Sequence, residues 1–147
     1  DGDPDLYLAN DFAANNLLRN DGGAFSDITV ASRVADPGFG MGASWGDYDA
    51  DGRQDLYVTN MHSSAGRRVI AAAGRMATDF APIARGNSLQ RNGSDGFTRV
   101  ADDLPVEDGG WGWGSQFVDI DNDGDLDIYA PSGYYTAPQE AAIVEDS

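Results

Sequence analysis

The amino-acid sequence predicts an all-β fold, a partial β-propeller of four-stranded antiparallel blades with Asp-rich loops and one short inserted helix. Three observations carry that expectation: an internal repeat, intervals that stay constant except at one insertion, and period-two alternation inside the repeated segments. DGDPDLYLAN from Asp1, DYDADGRQDLYVTN from Asp47 and DIDNDGDLDIYA from Asp119 align, so Asp1, Asp51 and Asp123 are equivalent, as are Asp5, Asp55 and Asp127. Between them, RNDGGAF (Arg19 to Phe25) matches RNGSDGF (Arg91 to Phe97). Asn20 precedes Asp51 by 31 residues and Asn92 precedes Asp123 by the same 31, whereas Asp1 to Asn20 is 19 and Asp51 to Asn92 is 41. All 22 extra residues sit between Asn60 and Asn87, as a repeat with one tolerant loop requires.

Each unit reads as four short strands. The first runs from about Met41 to Asp47, where Met41, Ala43 and Trp45 alternate with Gly42, Ser44 and Gly46. Glycine on alternate positions predicts a strand packed so closely on one face that side chains barely fit. Its counterpart, Trp113 to Asp119, sets Trp113, Ser115 and Phe117 on the corresponding face, with Trp113 expected in the core. An acidic loop follows, then a second strand over Asp55 to Asn60, repeated at Asp5 to Asn10 and at Asp127 to Ala130. The third covers Ser88 to Arg91 (Asn16 to Arg19 in the preceding unit), and the fourth covers Phe97 to Ala101, matching Phe25 to Thr29.

Four-stranded units recurring about every fifty residues describe propeller blades. On this register residues 1–37 hold the last three strands of one blade, and 38–107 a complete blade with an insertion at about 63–86. Residues 108–147 hold the first strands of the next blade and a C-terminal tail. A ring needs at least four blades, so the remaining blades are expected from a longer protein, an oligomer or a larger complex. Within the insertion, RRVIAAAGRMATDF puts Val69, Ile70, Ala73, Met76 and Phe80 on one helical stripe. That stripe predicts a short helix that covers an apolar part of its own blade or serves as a partner-docking or gating element.

The 147 residues carry a formal net charge of -16, from 25 acids against 9 arginines and no lysine. Twenty-two of the acids are aspartate, a bias that points to turns and oxygen-ligand metal loops. Such a field repels phosphate backbones, which excludes nucleic acid, and no apolar run is long enough to insert in a bilayer. There is no cysteine and one histidine, so thiolate sites and paired-histidine metal sites are excluded.

In the acidic loops, aspartates stand at positions 1, 3, 5 and 9: Asp47, Asp49, Asp51 and Asp55, and again Asp119, Asp121, Asp123 and Asp127. Position 6 is Gly52 or Gly124. Carboxylates on alternate residues of a tight turn converge, and their repulsion calls for a hard divalent cation, calcium before magnesium. The backbone carbonyls of Arg53 and Asp125 at position 7 are expected as further ligands. An EF-hand is excluded, because its position 12 requires glutamate and here holds Val58 or Ala130. Asp1 and Asp5 fall at positions 5 and 9 of a partial third site, complete only if upstream residues supply the rest.

At DYDADGRQDLYVTN, DIDNDGDLDIY, NLLRNDGGAF, RGNSLQRNGSDGF and the GMGASWGD and GWGWGSQF lead-ins, the chain resembles the FG-GAP/VCBS repeats of integrin-alpha-type propellers. It is most similar to the bacterial and cartilage-acidic-protein-like branch associated with ASPIC/UnbV domains. The resemblance implies a closed propeller with calcium between the first two strands of each blade. It also implies an extracellular, cell-surface or periplasmic setting, which suits the roughly 10⁻⁴–10⁻³ M affinities of extracellular calcium modules.

The expected function is a calcium-stabilised protein-interaction scaffold, not an enzyme. The alternatives are a carbohydrate-binding module and a part of a polysaccharide-degrading enzyme. Asp102, Asp103, Glu107 and Asp108 are the leading acids for the enzyme reading. His62, Trp111, Tyr134 and Tyr135 are the candidate contacts for a ligand, glycan or protein partner.

Overall fold

A computed structural model describes residues 1–62, 72, 82–83, 85–100 and 104–133. Nine strands run through them: β1 Leu6–Leu8, β2 Asn16–Asp21, β3 Ala24–Asp27, β4 Gly40–Gly46, β5 Asp55–Asn60, β6 Ser88–Gly93, β7 Gly96–Arg99, β8 Gln116–Val118 and β9 Asp127–Tyr129. They form three antiparallel sheets in sequential order, β1-β2-β3, β4-β5-β6-β7 and β8-β9.

Aromatic and β-branched residues concentrate in β5, and every one of its six residues is buried. Alternation sends its side chains to two cores. Leu56 and Val58 pack with Tyr7, Leu17, Val34 and Phe97, joining the central sheet to the first. Tyr57 packs with Leu89 and Phe117, joining it to the third. Complete burial of Leu56 and Val58 contributes about 1.5–3 kcal/mol each. Trp45 seals the first seam, edge-on to Tyr7 with ring centroids 6.2 Å apart and tilted against Phe97 at 6.0 Å.

The glycine face of β4 is the second seam. A methyl group on Gly46 would run into the Phe117 ring, and one on Gly42 would meet Gly114 Cα at 2.9 Å. Ser44 Oγ and Ser115 Oγ lie 3.0 Å apart across the same seam. Close approach is thus the physical reason for glycine at alternate positions of this strand.

Three expectations are corrected. The described elements are all strands, so no inserted helix is among them; Ala72 alone has helical backbone, and most of 63–86 lies outside the described residues. The closed propeller that the resemblance implies is not formed by the described residues, whose sheets have three, four and two strands, the numbers that the repeat register gives. Trp113, expected in the core, is 55% exposed. Its strand is shorter than Trp113 to Asp119, beginning at Gln116, and its indole lies against Gly133 instead.

Candidate metal centres

The hairpins β4–β5 and β8–β9 carry the two acidic loops, and the loops have the same internal wiring. In the first, Asp47 Oδ1 accepts the Asp51 N–H (2.9 Å) and Asp47 Oδ2 the Gly52 N–H (2.8 Å). Asp119 does the same for Asp123 (3.2 Å) and Gly124 (3.1 Å). Asp55 Oδ2 accepts the Tyr48 N–H (3.2 Å), and Asp127 Oδ2 accepts the Ile120 N–H (3.0 Å). Positive φ makes this winding feasible: 56° at Ala50 and 89° at Gly52, then 63° at Asn122 and 97° at Gly124.

This winding gathers carboxylates. Asp47, Asp49 and Asp55 each present an oxygen, all within 4.8 Å of one another, and Asp119, Asp121 and Asp127 do likewise. Asp51 and Asp123 are outside these groups of three. Asp51 Oδ1 accepts the Arg53 N–H (2.9 Å) while its Oδ2 pairs with the Arg53 guanidinium, and Asp123 Oδ1 accepts the Asp125 N–H (2.9 Å). Arg53 Nε also donates to Asn92 O at 2.6 Å.

The donor set fits a hard cation. It consists of oxygens alone, and Asp49 Oδ1 is buried with no hydrogen-bond partner, a costly state for a carboxylate oxygen. Burial raises the Asp55 carboxyl above its ordinary value; the Asn92 and Tyr48 N–H groups oppose this, and the charges of Asp49 and Asp51 add to the rise.

At the N-terminus the corresponding part of the loop is wired alike. Asp1 Oδ1 accepts the Asp3 N–H (3.0 Å), and Asp5 Oδ1 accepts the Asn20 N–H (2.8 Å) as Asp55 Oδ1 accepts that of Asn92 (2.7 Å).

Sequence reasoning missed the residues that hold these loops. Asn20 Nδ2 donates to Pro4 O and Asn92 Nδ2 to Gln54 O, both at 3.1 Å, so an asparagine from the third strand of the unit ties down each loop end. A second asparagine pair closes the opposite end of the strands. Asn15 Oδ1 accepts the Asn10 N–H (2.7 Å), and Asn87 Oδ1 accepts the Asn60 N–H (2.9 Å). The signal was present: Asn10 and Asn60 follow Asp5 and Asp55 by five residues, and Asn15 and Asn87 precede Asn20 and Asn92 by five. Arg91, also unassigned from sequence, sets Nε 2.7 Å from Asp49 Oδ2 and Nη2 3.9 Å from Asp51 Oδ2.

The remaining candidates lie elsewhere. His62 is buried, its N–H donating to Gly110 O (3.2 Å) and its Nε2 4.0 Å from Asp108 Oδ1, with neither ring nitrogen hydrogen-bonded. Trp111 forms a bridge with Met61, and its carbonyl accepts the Gly133 N–H at 2.8 Å. Glu107 is paired with Arg99 at 2.9 Å. Tyr134, Tyr135, Asp102 and Asp103 fall outside the described residues. Among the described residues no helix is long and apolar enough to cross a membrane.

The FG-GAP-like repeat family matches residues 1–58 and 71–130, which include both acidic loops. Neither the curated proteins nor the solved structures contain a match to the chain.

Proposed function

This chain belongs to the FG-GAP-like repeat family, and from that premise we propose that it is a calcium-stabilised scaffold for protein–protein interaction. The observation that carries the calcium reading is the identical wiring of two loops, each with three carboxylate oxygens within 4.8 Å. When bound, calcium would neutralise charges that otherwise repel, held by Asp47, Asp49 and Asp55 in one loop and Asp119, Asp121 and Asp127 in the other. Asp51, Asp123 and the carbonyls of Arg53 and Asp125 belong to the same proposed ligand sets. Asp1 and Asp5 are the wired remainder of a third.

The metal is structural in this reading, because each ligand set lies within one loop; of the two described acids offered for catalysis, Glu107 is committed to Arg99 and Asp108 lies 4.0 Å from His62. Sheet faces and loops are the working surface, for a protein partner or further repeat units, in an extracellular, cell-surface or periplasmic setting. Kinship with the branch allied to ASPIC/UnbV domains belongs to the same proposal and rests on the sequence motifs. The exposed indole of Trp113 supports a second reading, glycan binding by stacking, which a glycan array with Trp113→Ala as control addresses.

Calcium titration of the metal-stripped chain, followed by calorimetry and circular dichroism with magnesium as control, tests the main reading. About two calcium ions per chain and a clear rise in unfolding temperature are expected. A folded chain that ignores calcium would refute it.

A further inference from the structure

The two loops share their wiring but differ in the charge around it. Arg53 occupies position 7 of the first loop, where the second has Asp125. Arg91 reaches in from β6 to Asp49 and Asp51, while among the described residues no ion pair reaches the second loop. Arg91 holds only one oxygen of Asp49, at 2.7 Å, and leaves the other buried without a partner. The guanidinium therefore partly neutralises the cluster without filling it.

We propose that Arg91 is a built-in counter-cation of the first loop, holding it closed in the absence of calcium and weakening calcium capture there. The inference rests on the calcium reading above. It follows from electrostatics: a positive charge near clustered carboxylates lowers their mutual repulsion, and the same charge repels an incoming divalent cation. A loop so equipped keeps its shape over a wider range of calcium concentration and binds the ion less tightly than its carboxylates would allow.

The test compares the full chain carrying Arg91, Arg91→Gln or Arg91→Lys, each also carrying Asp121→Asn to disable the second loop. Calcium affinity is measured by calorimetry at about 0.15 M salt, and unfolding temperature with and without calcium. Arg91→Gln is expected to bind calcium about three- to tenfold more tightly, while the calcium-free protein unfolds at a lower temperature. That opposition of sign separates the proposal from a merely structural role, which would lower stability in both states. Arg91→Lys keeps the charge and is expected to resemble the parent. Unchanged or weaker calcium binding in Arg91→Gln overturns the proposal, and so does Arg91→Lys behaving like Arg91→Gln. If the Arg91 parent binds no calcium at the first loop, the calcium reading itself fails and this inference falls with it. The parent titration alone shows that.

Discussion

The two acidic loops follow one pattern and meet different surroundings. The first ends in Asp55, which is fully buried, accepts N–H groups from Tyr48 and Asn92, and opens a strand buried along its whole length. The second ends in Asp127, exposed, with an N–H from Ile120 and a strand of three residues behind it. Local sequence sets the winding of both. What differs is how firmly the loop is seated, and that depends on the neighbouring strands: β6 gives the first loop Asn92 and Arg91, whereas among the described residues the third sheet contains only β8 and β9. A motif can thus share its winding and be unequal in the free energy that holds it.

Paired substitutions put that inequality to the test. The largest difference is expected between Asp55→Asn and Asp127→Asn in calcium-free protein. Replacing the buried Asp55 puts an amide where two half-buried N–H groups need acceptors, for a loss of about 2–3 kcal/mol, against under about 1 kcal/mol for the exposed Asp127. Urea unfolding measures both, and equal losses would break the comparison.

A middle-sized effect sharpens it at the seam that the loops share. Gly46→Ala drives a methyl group into Phe117, just ahead of the second loop, and is expected to cost about 1–3 kcal/mol. Gly114→Ala meets nothing within 4 Å and should fall within about 0.5 kcal/mol of the parent in the same unfolding experiment.

The smallest effect provides a reference outside both loops. The Asp27 carboxyl is held below its ordinary value first by the Thr29 hydroxyl (2.6 Å) and then by the Thr29 N–H (2.9 Å). Its folded value lies below its unfolded one, so its contribution is present above the unfolded value and fades as pH falls through the folded one. Thr29→Ala should therefore narrow the stability gap to the parent as the solution is acidified through that window. A gap independent of pH in thermal unfolding would remove Asp27 from the account.

What the sequence showed plainly was local. Asp at positions 1, 3 and 9, Gly at 6 and the apolar run Leu56-Tyr57-Val58 are periodicities within a dozen residues, and the strand and both carboxylate groups stand where they point. What it hid depends on distance along the chain. Arg91 meets Asp49 across 42 positions and Asn87 meets Asn60 across 27, with the insertion between, and no local period reveals such pairs. Asp51 stays in the proposed ligand set, and its pairing with Arg53, two residues on, is a contact that the Asp spacing alone does not name. Trp113 was misplaced because alternation names a face without saying whether anything covers it. The helical stripe between Val69 and Phe80 lies, apart from Ala72, outside the described residues.

The asparagine pairs at the far end of the strands give the first two sheets a chemical direction. The bonds of Asn60 with Asn87 and of Asn10 with Asn15 are neutral and do not titrate, although Asn60 also donates to the buried Asp36 carboxylate at 3.3 Å. The aspartate end responds to ionic strength, acidity and dissolved metal. When the surroundings change from fresh to briny water, or from neutral to sour, the sheet behaves as a leaf fixed at its stem: one margin loosens or tightens while the other keeps the strands in register.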